Sequence, residues 1–244
     1  MNQDQTVAAL LERYGRTYAE EAGIALRNTP APLYQLLVLT VLCSVRIGAA
    51  TAVAAARELF AVGFRTPRAM AAASWQSRVD ALGRAHYVRY DESTATALGR
   101  GADLLLDHWH GDLRRLRAEA AGEPGKVEEL LREFPRIGPV GAGIFCREAQ
   151  AVWPELRPFF DGRARAVAAD LGLPRAAARL AELVPPEDLG RLAAALTRLA
   201  LAHGEPSELL SATSDGTRPS SAVRALTMTG RTELTGLGAC RPAS

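Results

Sequence analysis

Residues 130–145, LLREFPRIGPVGAGIF, have the residue types and the spacing of a phosphate-binding turn between two helices. Pro139 suits the first turn of a helix, where its missing N–H removes no hydrogen bond. Gly138 permits a positive φ and lets another backbone approach closely. The N–H groups near Gly138, Val140 and Gly141 would then point outward from a helix N-terminus, where they can hold a phosphate. An ordinary turn between two helices is the alternative, because Gly-Pro turns are common.

This hairpin resembles the helix-hairpin-helix element of the DNA glycosylases related to endonuclease III, whose typical pattern is Leu-Pro-Gly-Val-Gly-x-x-Thr-Ala. The matching run is FPRIGPVGA, residues 134–142, in which Arg136 replaces the first hairpin glycine. The resemblance covers about residues 28–204, because three further segments follow the family's order: LLVLTVLCSVRIGAATAVAAARELF, LGRAHYVRYDESTATAL and LTRLALAHGE. It implies an all-α, two-lobed glycosylase fold (HhH-GPD) with the helix-hairpin-helix motif at about 127–150. The hairpin residues that it implies for DNA contact are Arg136, Ile137, Gly138, Val140 and Gly141.

Asp161 stands where this family has its catalytic aspartate, in a loop just before a helix, 23 residues after Gly138. A glycosylase flips a nucleotide out of the duplex and breaks the N-glycosidic bond through a cationic sugar. A carboxylate beside that sugar lowers the barrier electrostatically and can direct a water molecule. Aspartate is also a preferred helix N-cap, so the structural alternative is that Asp161 only caps the helix from Gly162. The two roles are compatible, and the resemblance favours catalysis.

The resemblance further implies a monofunctional enzyme without a cofactor. Bifunctional relatives carry a lysine two residues after the second hairpin glycine, and it forms a Schiff base with the sugar. Val140 stands there, and the only lysine, Lys126, precedes the hairpin; the N-terminal amine is an open substitute. Adenine-removing relatives have a glutamate where Val41 stands, which counts against that specificity. Relatives with a four-cysteine iron–sulfur cluster place it after the final helix, where this chain has only Cys240, so no such cluster is expected.

Four more side chains are candidates for contact with DNA or with the flipped base. Arg46 takes the place of a family glutamine that fills the gap left by the flipped base, and an arginine could hydrogen-bond to the orphaned base. A solvated loop arginine is the alternative. His86, Tyr87 and Tyr90 follow Gly83 and are candidates to line the base pocket. Aromatic residues at helical spacing are more often part of the core.

The elements that must position these residues are helices, because helical periodicity runs through nearly the whole chain to Gly204. The predicted helices cover residues 6–25, 33–45, 49–60, 75–82, 90–109, 126–134, 141–151, 163–171, 175–183 and 186–202. Thr66 and Ser74 are predicted N-caps, Thr66 of a further short helix that opens at Pro67 and Ser74 of the helix over 75–82. No alternating β-branched run of useful length is present, so the predicted class is all-α. We predict one glycosylase domain over residues 1–204, with a DNA cleft between two lobes. Residues 205–244, rich in Ser, Thr, Gly and Pro, are expected to form a flexible tail.

The composition adds few chemical groups beyond arginine. Of 29 basic residues, 28 are arginine, as in proteins from GC-rich genomes, and the net charge is +2. Arginine binds phosphate bidentately, so a nucleic-acid partner does not require a strongly basic chain. Cys43, Cys146 and Cys240 are too widely spaced for a zinc site or a disulfide framework. His108 and His110 have no accompanying cysteine or carboxylate pattern, so no metal site is expected.

The longest apolar stretch, residues 36–45, is too short to span a membrane, and the polar start is no secretory signal. We therefore expect a cytoplasmic bacterial protein, monomeric, and associated with the nucleoid when bound to double-stranded DNA. The leading hypothesis is a monofunctional base-excision DNA glycosylase. The alternatives are a catalytically silent helix-hairpin-helix protein that binds damaged or structured DNA, and a helical protein without a DNA role. The sequence leaves open which base is excised and whether activity survives the departures at Arg136 and Val140.

Overall fold

The computed structural model describes residues 2–201, and within them the chain forms thirteen α-helices and no strand. The predicted all-α class is therefore confirmed. The helices are α1 (Gln3–Tyr14), α2 (Tyr18–Glu21), α3 (Pro30–Cys43), α4 (Ala49–Ala61), α5 (Pro67–Ala72), α6 (Trp75–Arg84), α7 (Asp91–Trp109), α8 (Leu113–Glu119), α9 (Pro124–Leu131), α10 (Pro139–Ala149), α11 (Gly162–Asp170), α12 (Ala177–Ala181) and α13 (Leu189–Leu201). The predicted tail, residues 205–244, lies outside the described residues.

Side-chain N-caps start many of these helices, as the sequence predicted at Thr66 and Ser74. The Thr66 hydroxyl accepts the Ala69 N–H at 3.2 Å, and the Ser74 hydroxyl accepts the Ser77 N–H at 3.1 Å. Such caps satisfy backbone donors that the first helical turn leaves without a partner. No described helix is long and apolar enough to cross a membrane.

The single helix predicted over residues 6–25 is instead two helices, α1 and α2. Gly15 ends α1, with its N–H donated to the Leu11 carbonyl. Thr17 then caps α2, since its hydroxyl accepts the Glu20 N–H at 3.2 Å while the Glu20 carboxylate accepts the Thr17 N–H at 2.9 Å. This reciprocal capping starts a new helix two residues after the break.

The core consists of two separate hydrophobic clusters. The larger cluster is built around α3 and takes its buried residues from Tyr18 to Leu156. The smaller cluster joins Val7 and Leu10 of α1 to buried residues from Phe160 to Leu199, so the two ends of the described chain pack together. The boundary falls between two neighbours, because Phe159 packs against the larger cluster and Phe160 belongs to the smaller one.

Candidate active-site cleft

An open cleft of about 1250 Å³ lies between the two hydrophobic clusters. Its walls come from the α3–α4 loop, the start of α10, the start of α11 and the end of α13. The lining residues that matter most here are Arg46, Val140, Arg147, Phe159, Asp161 and Arg198. The cleft therefore brings together Arg46, Val140 and Asp161, which the sequence analysis selected from three distant segments.

Asp161 is the N-cap of α11 and also faces the cleft. Its Oδ1 accepts the Ala164 N–H at 2.8 Å, which fixes the carboxylate against the helix. Its Oδ2 lies 3.6 Å from Nη1 of Arg147, and 32% of the side chain is exposed. One carboxylate oxygen thus serves the helix, and the other is available to a ligand in the cleft.

Gln150 holds the segment that leads to Asp161. Its side-chain amide donates to the Phe159 carbonyl and accepts the Phe159 N–H, each at 3.0 Å. Gln150 itself is completely buried at the end of α10. The position of Asp161 is therefore tied to α10, the second helix of the hairpin.

The hairpin turn takes the left-handed conformation at Arg136 and not at the glycine that would permit it. Gly138 has a φ of −94° and a ψ of −169°, which is ordinary extended backbone, so it does not use the positive φ that glycine permits. The positive φ, +68°, belongs to Arg136, where the related hairpins carry glycine. A non-glycine residue there costs about 1–2 kcal/mol. Arg136 offsets this cost in part, because its Nη1 donates to the hydroxyls of Ser93 at 2.8 Å and Thr94 at 2.9 Å.

The start of α10 leaves backbone donors available for an anion. The N–H groups of Gly138, Val140 and Gly141 make no hydrogen bond to other residues within 2–201. The Val140 side chain is 74% exposed. Ile137, by contrast, is only 4% exposed, and its N–H donates to the Phe134 carbonyl. Neither its side chain nor its N–H is therefore free to make the predicted contact with DNA. Gly141 is buried, because a Cβ there would lie 2.5 Å from Oγ of Ser44.

The three residues predicted to line a base pocket lie away from the cleft. Tyr87 is completely buried and donates its hydroxyl to the Leu42 carbonyl at 3.1 Å, so its prediction is wrong: it is a core residue. His86 is exposed on the turn after α6. Tyr90 borders a separate shallow depression at the start of α7, where Arg136 lies over its ring at 5.6 Å.

The cleft wall also contains an ionic cluster that no sequence pattern predicts, formed by Tyr18, Arg147, Glu148 and Arg198. The Arg147 side chain is 4% exposed, and its Nε lies 3.6 Å from Oε1 of Glu148. Oε2 of Glu148 accepts the Ala19 N–H at 3.0 Å. Two guanidinium groups cover the Tyr18 ring, Arg198 at 4.0 Å and Arg147 at 5.6 Å. Burial raises the pKa of Tyr18, and the two arginine charges oppose that rise.

The two described cysteines do not supply a ready nucleophile. Cys43 lines the cleft and is half-buried, and the atoms packed around its thiol raise its pKa to about 12. Burial also raises the pKa of Cys146, which has no exposed surface. Cys240 lies outside the described residues, so the expected absence of a four-cysteine iron–sulfur cluster stays a prediction.

The chain matches no protein-family model and no curated protein. Two solved structures resemble it. One is a non-covalent endonuclease III–DNA complex, with 17% identity and a TM-score of 0.47 over 82% of this chain and 86% of that one. The other is a trapped endonuclease III–DNA covalent intermediate with an estranged adenine, with 17% identity and a TM-score of 0.44 over the same shares. Both scores are below 0.5, so the case for a function rests on the cleft.

Proposed function

We propose that this chain is a monofunctional DNA glycosylase that hydrolyses the N-glycosidic bond of a damaged or modified base flipped from double-stranded DNA. The observation that carries the proposal is the position of Asp161, a half-exposed carboxylate in an open cleft beside unpaired backbone donors. Two of those donors, on the exposed residues Gly138 and Val140, suit a DNA phosphate at the start of α10. Arg46 is exposed on the same cleft and suits the gap that a flipped base leaves.

Asp161 would act on the sugar of the flipped nucleotide. The bond between C1′ and the base nitrogen breaks, its electron pair leaves with the base, and the sugar becomes cationic. The carboxylate stabilises that cation and accepts a hydrogen bond from the water that attacks C1′. Because Oδ1 is held by the Ala164 N–H, the group keeps one orientation during this step.

Water is the proposed nucleophile because the cleft offers no suitable side chain. The family's lysine position is occupied by Val140, which opens into the cleft. Lys126 does not line the cleft, and its Nζ lies 3.1 Å from Oε2 of Glu129. Cys43 lines the cleft, but its raised pKa keeps it protonated at neutral pH. The reaction as proposed uses a carboxylate and water and needs no cofactor.

Base release from a panel of duplex oligonucleotides tests the proposal, with oxidised pyrimidine, alkylated purine and deaminated bases as substrates. We expect Asp161→Asn to lower the release rate by about 10²–10⁴-fold. Asparagine is as good an N-cap as aspartate, so α11 should stay intact. Asp112→Asn is the matched control, because Asp112 caps α8 by accepting the Arg114 N–H at 2.9 Å and does not line the cleft.

The possible outcomes separate the competing functions. Duplex binding without release from any substrate would identify a catalytically silent DNA-binding protein. Absence of salt-dependent duplex binding would remove the DNA role altogether. Borohydride added during turnover tests the monofunctional claim: a covalent adduct with the natural chain would overturn it, whereas Val140→Lys is expected to create one.

A further inference from the structure

Arg147 is a buried cation whose hydrogen-bonding capacity is largely unused. Arg78, which is buried to a similar degree, donates to the carbonyls of Met70, Ala73 and Ala95 at 2.8–2.9 Å. The carboxylates beside Arg147 are both 3.6 Å away, and its Nε has no hydrogen-bond partner within the described residues. A buried guanidinium is normally satisfied by close hydrogen bonds, because its desolvation is costly. This exception calls for a ligand.

One end of the guanidinium, Nη1, lies beside the place where the proposed chemistry occurs. Arg147 lines the cleft, and its Nη1 is 3.6 Å from the Asp161 oxygen that would face the sugar. A group so close to the carboxylate lies beside the bond that breaks. The base acceptors next to that bond are O2 of a pyrimidine and N3 of a purine.

We propose that Arg147 donates a hydrogen bond to this acceptor of the flipped base and stabilises the base as a leaving group. The inference rests on the proposed function and adds a second catalytic residue to it. When the C1′–N bond breaks, the electron pair stays on the base and spreads onto the neighbouring O2 or N3. The guanidinium stabilises that developing charge and transfers no proton. Water supplies the oxygen that joins C1′, and its released proton neutralises the departed base through solvent.

The surrounding groups favour a catalytic role for Arg147 over a purely structural one. Glu148 uses Oε2 to accept the Ala19 N–H, while its buried Oε1 lies 3.6 Å from Nε of Arg147, too far for a hydrogen bond. Arg198, on the Tyr18 ring, donates to the Arg16 carbonyl and pairs with Glu21. Of these two cations, Arg147 is the one without a close partner within the described residues.

Rates on substrates with and without the acceptor test the inference. The single-turnover rate of base release is measured for the natural chain and for Arg147→Met, first on the damaged base that the natural chain releases and then on an analogue of that base. For a purine the analogue is the 3-deaza base, which lacks N3. For a pyrimidine it is the 2-thio base, whose sulfur is a weaker acceptor than O2. We expect the natural chain to be about 10- to 100-fold faster than Arg147→Met on the lesion, the value of a charge-assisted hydrogen bond. On the analogue this ratio should fall towards one.

A structural role would give the same ratio on both substrates, and that result would overturn the inference while base release stands. If the natural chain releases no base, the proposed function fails and the inference fails with it. Arg163→Met is the matched control, because Arg163 lines the cleft from an exposed position and its ratio should be equal on both substrates. If Arg147→Met does not fold, Arg147→Lys, which keeps the charge but not the planar fork, gives the same comparison.

Discussion

Replacing Gly141 by alanine tests how tightly the hairpin packs on the end of α3. A Cβ at this position would lie 2.5 Å from Oγ of Ser44 and 3.2 Å from Cγ2 of Ile137. The hydroxyl is not free to move away without loss, because it donates to the Thr40 carbonyl at 2.7 Å. Either that hydrogen bond breaks, at about 1 kcal/mol, or α10 shifts, with an overpacking cost of about 1–3 kcal/mol. Gly141 is the third residue of α10, so the greater helix propensity of alanine returns only part of the roughly 1 kcal/mol that it is worth in a helix interior. We expect a net loss of about 1–2 kcal/mol.

The free energy of unfolding in urea measures this loss, and Ser44→Ala identifies its cause. With alanine at position 44 the nearest atom of that residue is its Cβ, 3.5 Å away, which is ordinary contact. The double variant should then be about as stable as Ser44→Ala alone. Gly83→Ala is the control, because Gly83 lies inside α6 with nothing within 4 Å of its Cβ, and it should be neutral or stabilising. Strictly additive losses, or a Gly141→Ala chain as stable as the natural one, would refute the packing argument.

Two further predictions concern the hairpin turn and the buried thiols. Arg136→Gly should be more stable than Arg136→Ala by about 1 kcal/mol in urea unfolding. Both variants lose the hydrogen bonds to Ser93 and Thr94, but only glycine accepts the positive φ without strain. Equal stability of the two variants would contradict this. For Cys43 and Cys146, a thiol reagent at pH 8 should label neither site in the folded protein, as read by peptide mass spectrometry. Because folding raises both pKa values, their contribution to stability is complete below the unfolded thiol pKa of about 8.5 and declines as pH rises above it. Rapid labelling of Cys43 or Cys146 in the folded chain would contradict the raised pKa of that thiol.

The sequence predicted the helices well and the turn of the hairpin less well. Helical periodicity and capping residues are local signals, so Ser74 and Asp161 were assigned as N-caps correctly. By residue type, Gly138 is the position in the turn that accepts a positive φ at no cost. In the structure, Arg136 takes it, and its side chain binds α7 in return. That compensation depends on a contact between segments some forty residues apart, which no local pattern contains.

Tyr87 and Arg147 also show that a local sequence pattern does not predict whether a polar side chain is buried. Tyr87 follows a polar, glycine-containing turn and was predicted to face a ligand, but its hydroxyl finds a partner in the Leu42 carbonyl and the ring is buried. Arg147 stands in α10 beside Glu148, a pair that normally indicates a solvated helix face. It is buried because α2 packs over it, with Tyr18 above the guanidinium. Whether each of these polar side chains is buried or exposed depends on which distant segment of the chain packs against it.

The placement of Asp161 follows from a short local sequence once the two clusters are known. Phe159 and Phe160 are consecutive apolar residues that pack into different clusters, so the next residue must lie at the boundary between them. Gln150 fixes the backbone of Phe159 from one side, and the Ala164 N–H fixes the carboxylate from the other. A carboxylate fixed in this way loses little conformational freedom when a substrate binds. The boundary between the clusters is also where the cleft opens, and Nη1 of Arg147 lies 3.6 Å from Oδ2 of Asp161 there. The packing that separates the two clusters therefore also places a fixed carboxylate and a guanidinium side by side in the wall of the cleft.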